Sequence, residues 1–579
     1  MPANLHLSGL LRRHRARDRA DAAPATREQQ RLVDIRITSG MLDRVRAHVE
    51  DRTRGEEAGV LLCSVSRLDT FDVLLAREWV PVPETALERG TAGSVLSWSA
   101  QFNSAVLERA MAMGASPVLV HSHVVQRPAF SDHDRVNERK LFGAVSRLVS
   151  PAPTGTLLLG DGSAAGSFWL AGRNSLGFRR LVILGDTIAI WPAAAQRARP
   201  PQPRARLARQ NAAIGPRSDA LLAAARVAVV GVSGGGSHVV QQLIYQGIGT
   251  LIPVDNQLID SSNLGRVVGA TAADVDTTPK TRLASRTAMA VDPSITVTEI
   301  ADRFPSPTAI RAMRSADVIV ACVDTFAARE AVNAFCRRYM IPLLDFGIAI
   351  RSAGERLATA DGQLIASLPG RPCLRCWFIT DTILAAERRD RPPGYDRNPD
   401  APGDPQVVSM NGTLASEACN SVLDLITGYS GGRRGARIWQ YDGRAGTLAA
   451  ADVPSARPDC PACAEDGFGD PPHALTAPAG TAEADDPGWR GRRAARHRIP
   501  GLSSRAEPRK EVRRMAQPTP GTKLVAHGLV GAAVAVIVTK LATTSKAAKA
   551  FIGALIGILA HALLDAPLAG LLARAGLQL

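Results

Sequence analysis

The stretch from Ala225 to Gly247 constrains the fold of this 579-residue chain more than any other. A β-branched run, ARVAVVG, turns through GVSGGGS into VVQQLIYQG. Strand spacing gives way to helical spacing across a glycine-rich turn, so the segment reads as strand, tight turn and helix. The amides of such a turn, backed by a helix N-terminus, cradle phosphate oxygens. Dinucleotide enzymes share this geometry, so the turn alone leaves the ligand open.

Further strands, LIPVD and DVIVAC, alternate with helical stretches and extend an α/β region from Arg209 to Cys463. A second α/β region precedes it. From Val33 to Gly172 the runs VDIRI, GVLLCSV, FDVLLAREWV, PVLVHSH and TGTLLLG alternate with helical stretches such as Met41 to Glu50 and Phe102 to Met113. The expected organisation is a basic arm over 1–30, a first domain over 31–173, a linker over 174–206, a second domain over 207–464 and a tether over 465–521. In the tail, Leu524 to Ala542 and Ala550 to Ala573 are apolar, each near the ~20 residues that span a bilayer. Lys540, His561, Asp565 and Pro567 interrupt them, so the expected helical hairpin over 522–579 reads as a membrane anchor or a self-association module.

The net charge of +15 is spread through Pro/Ala-rich stretches, and no nucleic-acid module accompanies it, so no nucleic-acid partner is expected. Eight cysteines are too few for a disulfide framework in so long a chain. Four of them form two CxxC pairs, Cys373 with Cys376 and Cys460 with Cys463, which together suit tetrahedral zinc, with redox chemistry as the alternative. The expected location is cytoplasmic, with the tail as a possible anchor to the cytoplasmic membrane.

The segment HSHVVQRPAFSDHD supplies His121, His123, Ser131 and Asp134. Residues two apart on a strand share a face, so both imidazoles can reach one ion. Asp134 adds a third ligand and leaves one zinc position open, as hydrolytic zinc requires. The spacing H-x-H-x7-S-x2-D resembles the JAMM signature of the JAB/MPN zinc isopeptidases. That resemblance implies a general base in GEEAGVLLC, at Glu56 with Glu57 as the fallback, and makes Ser131 the oxyanion donor. Val124 stands where the family has proline.

Downstream of the glycine turn come Asp255, then DSSNLGR, Lys280 and a strand ending VACVD. These residues, with RQNAAIG ahead of the first strand, resemble the ThiF/MoeB family of ubiquitin-activating-type adenylyltransferases. The resemblance implies an α/β fold class: a JAB/MPN-like domain followed by a Rossmann-like adenylation domain. It implies that Gly231, Gly234 and Gly236 line the phosphates of ATP and that Asp255 holds the ribose. Asn263, Arg266 and Lys280 would grip the triphosphate, Asp324 would hold Mg2+, and Arg209 would reach the ATP of a second subunit in a homodimer. Ser233 and Gln257 depart from the family pattern.

The family places its CxxC pairs correspondingly, around a structural zinc. With the catalytic ion this makes two zinc sites. The expected partner is a ubiquitin-like β-grasp protein, with a conjugating-enzyme-like protein or a sulfurtransferase downstream. Trp377 to Ala418 contains no cysteine, which leaves thioester formation open; Cys419, Cys63, Cys322 and Cys336 sit in apolar runs and read as structural. Fusions that resemble this one belong to ubiquitin-like conjugation systems, several associated with phage defence. Sulfur-carrier activation for thiocarboxylate formation and an inactive membrane-displayed scaffold are the rival readings.

Overall fold

The computed structural model describes residues 31–50, 57–89, 96–121, 128–149, 151–194, 203–390, 405–431, 434 and 438–471. The basic arm, Glu56, His123 and the apolar tail lie outside the described residues. No described helix is long and apolar enough to cross a membrane.

The first domain runs β1 (Leu32–Thr38), α1 (Ser39–Val49), β2 (Ala58–Arg67), β3 (Phe71–Pro81), β4 (Leu87–Arg89), β5 (Leu96–Trp98), α2 (Ala100–Met113), β6 (Ser116–His121), α3 (Asp132–Leu148), β7 (Thr154–Leu159), β8 (Ala164–Leu170), β9 (Arg173–Leu184) and β10 (Ile188–Pro192). Its main sheet has the order β1-β3-β2-β6-β7-β8-β9-β10, and β1 also pairs with β9, so the sheet curls back on itself. Burial on both faces of β2 explains why AGVLLCSVS reads as a continuous rather than an alternating run. Thr38 accepts from the Met41 amide and starts α1, which buries Met41, Leu42, Val45 and Val49 against the sheet.

Residues 173–192 are strands of this sheet, not part of the linker expected over 174–206. The LVIL run of β9 is buried where β9 lies between β1 and β10. Burial of that run against both neighbours outweighs the turn-forming residues around it.

The second domain contains α4 (Ala208–Ile214), α5 (Ser218–Ala224), β11 (Arg226–Val230), α6 (Gly234–Gln246), β12 (Thr250–Val254), α7 (Arg282–Val291), β13 (Thr296–Val297), α8 (Pro307–Met313), β14 (Val318–Ala321), α9 (Phe326–Arg338), β15 (Leu343–Ala353), β16 (Arg356–Ser367), α10 (Leu374–Trp377), α11 (Asp381–Asp390), α12 (Val408–Thr427), β17 (Ile438–Asp442) and β18 (Thr447–Ala451). The sheet order is β13-β12-β11-β14-β15-β16-β17-β18. Strands β13 to β15 are parallel, whereas β16 to β18 are antiparallel. The chain leaves β11 in one direction along the sheet and returns to its other side at β14. Ligands bind in the crevice that such a reversal opens beyond the strand C-termini.

The first domain keeps a core of its own around Ile35, Leu61 and Phe168, and further apolar residues of it join the core of the second domain. Leu68, Phe71, Val73 and Leu75 of the first domain, with Val182, Leu184 and Ile188, pack in the same cluster as β11, β14 and α9. At about 1.5–3 kcal/mol per buried side chain, these seven contribute on the order of 10 kcal/mol, comparable with the stability of a whole domain. Polar ties cross the same seam. Arg180 bridges Asp34 at 2.8 Å and Asp317 at 2.9 Å. Residues 465–471, expected to begin a tether, are packed here instead: Asp470 accepts from the Arg67 amide at 2.7 Å and from Tyr339 Oη at 2.9 Å. Its own amide donates to Val65 O at 2.7 Å.

Candidate functional site

At the end of β11, Gly231 adopts φ +86°, and a Cβ there would lie 2.9 Å from the carbonyl oxygen of Cys322. At Gly236 a Cβ would lie 1.9 Å from the carbonyl oxygen of Gly231, so only glycine lets α6 begin so close to the strand. Ser233 starts α6 without a side-chain cap. The result is a glycine cradle with helix amides at its floor, the form a phosphate group requires. Asp255, 8% exposed, accepts from the Val232 amide at 2.8 Å and the Gln257 amide at 2.9 Å, which fixes the cradle to the next loop.

Lys280 is 2% exposed, and its ammonium donates to Gln257 Oε1 at 2.6 Å. Burial pulls its pKa down, while Asp255 and Asp260 act in the other direction. Arg266 and Asp324 also act on it electrostatically, so the residues singled out by spacing converge around one buried cation. Because Gln257 is an amide and not an acid, it orients Lys280 without neutralising it. Asn263 is 1% exposed; its Nδ2 donates to Asp260, and its Oδ1 has no protein partner. That orphaned buried oxygen and the glycine cradle both fit a nucleotide.

Arg209 is not brought to this pocket. On α4, its neighbour Gln210 donates to the Gln246 carbonyl at 3.0 Å, at the far end of α6 from the cradle. Thirteen helical residues separate the two ends, about 20 Å at 1.5 Å per residue.

In the first domain, strand pairing sets Ala58 opposite His121. The His121 Nε2 lies 3.5 Å from Asp134 Oδ1. A tetrahedral zinc with bonds of 2.0–2.2 Å separates neighbouring N and O ligands by about 3.4 Å, so the pair fits that ion. Ser131 caps α3: its Oγ donates to Asp134 Oδ2 at 2.7 Å, and the Asp134 amide returns a bond to it at 3.1 Å. Burial alone would raise the Asp134 pKa, but bonds from His121 and Ser131 outweigh it and hold the carboxyl well below the usual range. The fallback base, Glu57, is 1% exposed, with its carboxylate 3.7 Å from His48 Nε2.

The two CxxC pairs, 87 residues apart, come together. Sulfur separations are 3.7 Å for Cys373 and Cys460, 3.6 Å for Cys376 and Cys463, and 4.0 Å for Cys373 and Cys376. A tetrahedron of zinc–sulfur bonds near 2.3 Å has edges of about 3.8 Å, whereas a disulfide needs about 2.05 Å. The four thiols therefore match a tetrahedral zinc centre with all-cysteine ligation. Among the described residues it is the one grouping of three or more metal-binding side chains close enough to share an ion.

Residues 207–462 match the ThiF family model, and residues 38–170 match the model for prokaryotic homologs of the JAB domain. The chain joins a JAB-family domain to a ThiF-family domain. Its ThiF half is 29% identical over 258 residues to the SAMP-activating enzyme E1 of Haloferax volcanii, covering 44% of this chain and 86% of that protein. It is 30% identical over 119 residues to the sulfur carrier protein ThiS adenylyltransferase of Escherichia coli, covering 21% of this chain and 47% of that one. Identity to the mouse adenylyltransferase and sulfurtransferase MOCS3 is 26% over 252 residues, 44% of this chain and 50% of that one. The chain thus spans about half the length of the last two relatives.

Two residues of these domains escaped the motif reading. In the JAB domain, Glu138 sits one helical turn beyond Asp134 and is 7% exposed; burial raises its pKa, while the nearby Thr156, Ser167 and His121 side chains act in the other direction. Its i, i+4 spacing from Asp134 was the available signal. In the ThiF domain, Glu387 of α11 accepts from the amides of Phe326 at 2.9 Å and Ala327 at 2.8 Å, capping α9 just beyond Asp324. That contact, across 61 residues, leaves no local trace in the sequence. Cys63, Cys336 and Cys419 are fully buried, and burial raises all three thiols.

Proposed function

We propose that the ThiF domain uses ATP to adenylate the C-terminal glycine of a ubiquitin-like β-grasp protein. The observation that carries this reading is Lys280, a buried ammonium oriented by an amide and bordered by Asp255, Asp260, Arg266 and Asp324. In the reaction a carboxylate oxygen attacks the α-phosphorus, the bond to the bridging oxygen breaks, and pyrophosphate leaves behind an acyl adenylate. Anion meets anion, so charge must be cancelled in a water-poor site. Lys280 and Arg266 supply fixed positive charge, while the unpartnered Asn263 Oδ1 is an acceptor suited to a hydroxyl or amino donor of the nucleotide, not to its phosphates. Mg2+ held by Asp324 would add further neutralisation of the triphosphate. Arg209, remote from its own pocket, serves the pocket of a second copy in a homodimer. Two of the relatives are named adenylyltransferases and a third an activating enzyme, which supports this chemistry.

The JAB domain, in this reading, cleaves an amide to expose or remove the same modifier. Zinc held by His121, His123 and Asp134 would supply the Lewis acid. Glu56 takes the proton from the attacking water, and Ser131 turns its hydroxyl from Asp134 Oδ2 to donate to the developing oxyanion. Sulfur-carrier activation is the second reading: Cys419 is fully buried and Trp377 to Ala418 has no cysteine, which favours a thiocarboxylate over a thioester on this chain. A conjugating-enzyme-like partner belongs to the first reading and a sulfurtransferase to the second. Membrane association through 522–579 is a further part of the proposal.

The test is ATP–pyrophosphate exchange with candidate β-grasp proteins, comparing the full chain with Asp324→Ala. Exchange should require a free C-terminal glycine and vanish in the variant; exchange driven by free amino acids would refute a protein substrate. For the JAB half, Glu56→Gln should keep its zinc and lose cleavage of a modifier fusion.

A further inference from the structure

We propose that Asn411, in the first turn of α12, binds a phosphate of the nucleotide in the ThiF pocket; this deepens the adenylation reading and rests on it. A Cβ at Gly234 would lie 2.9 Å from Asn411 Nδ2 and 3.7 Å from Arg266 Cδ, so the amide and the arginine stem flank the same glycine of the cradle. Asn411 is 4% exposed. Its Nδ2 carries two hydrogens and donates one to Gln406 Oε1 at 2.9 Å, on an exposed residue.

Helix ends converge at the same point. α12 is 20 residues long and starts at Val407 without a side-chain cap, as α6 starts at Ser233. Both helices therefore begin beside Gly234 with uncapped amides at their positive ends. An amide buried at such a junction is stabilised most by a charged acceptor. A phosphate oxygen seated on the α6 amides lies within reach of Asn411 Nδ2 and supplies that acceptor. The neighbouring Gly412 allows the approach, because a Cβ there would press to 3.1 Å from the His238 ring.

Calorimetric titration of the full chain with ATP, AMP and adenosine separates phosphate binding from packing. Asn411→Leu, similar in size, should weaken ATP and AMP by about tenfold or more, the effect of losing a hydrogen bond to a charged group. Adenosine should bind as it does to wild type. Gln406→Ala removes the other amide partner and should leave ATP affinity within about twofold. Equal weakening of adenosine would assign Asn411 to packing and overturn the proposal. So would ATP affinity unchanged in Asn411→Leu, or lost to the same extent in Gln406→Ala. If wild type binds ATP but exchanges no pyrophosphate with any modifier, the adenylation reading fails while the Asn411 comparison still stands. If wild type binds no nucleotide, both fail.

Discussion

The Arg36 guanidinium donates to the backbone carbonyl of Tyr339 at 2.8 Å, joining the JAB sheet to the end of α9 across 303 residues. Its second arm donates to the Ala316 carbonyl at 2.8 Å. Burial pulls the guanidinium down to about 10, with Asp317 and Asp34 opposing that, so it stays charged at neutral pH. Arg36→Leu should therefore destabilise the seam by about 3 kcal/mol, the scale of two buried carbonyls that lose their donor. Because the two domains share part of a core, calorimetry should show their unfolding as one transition in wild type and two in the variant. One unshifted transition in the variant would refute the coupling.

The four-cysteine centre and the seam are joined by the same stretch of chain. Asp466 pairs with Arg337, and Asp470 reaches Arg67 and Val65 of β2. Cys463→Ser should thus lose one of two zinc equivalents per chain and reduce amide-exchange protection at Val65 to Arg67. Metal analysis with hydrogen exchange checks both outcomes; full protection in a zinc-depleted variant would contradict the link.

Asp292 anchors the segment that carries Arg209. It accepts from Arg206 Nε at 2.9 Å and Nη2 at 2.8 Å, and from Ser294 Oγ at 2.6 Å. Burial alone would raise its pKa, but the bonds from Ser294 and Arg206 outweigh it and hold the carboxyl at about 2, below the ordinary 3.8. A depressed carboxyl pKa contributes stability that is fully present above the unfolded value and lost as pH falls through the folded one. Asp292→Asn should therefore be less stable than wild type by about 1 kcal/mol at pH 7. The gap should narrow from pH 4 toward pH 2 in melting curves; a gap constant over that range would rule out this origin.

Arg209 and Asp324 belong to different pockets if the active form is a homodimer. Arg209→Ala and Asp324→Ala should each abolish exchange alone. Mixed after co-expression, hybrid dimers contain one complete pocket, so about a quarter of wild-type exchange should return. No recovery would place both residues in one chain's pocket.

Much of this architecture could be read locally. The glycine cradle follows from backbone sterics within six residues, Gly231 to Gly236, and each CxxC pair announces two ligands a single turn apart. His121, Ser131 and Asp134 are set by a strand end and a helix cap fourteen residues long in total, again a local matter. Tertiary structure decided what distance in sequence conceals. Packing put β9 and β10 into the JAB sheet, because the buried LVIL run pairs not only with the adjacent β10 but with β1, which no window around it contains. Long-range contacts set Asn411 beside Gly234, capped α9 with Glu387 and seated Asp470 on β2. Periodicity reports which face of an element is apolar; it carries no record of which distant element will cover that face.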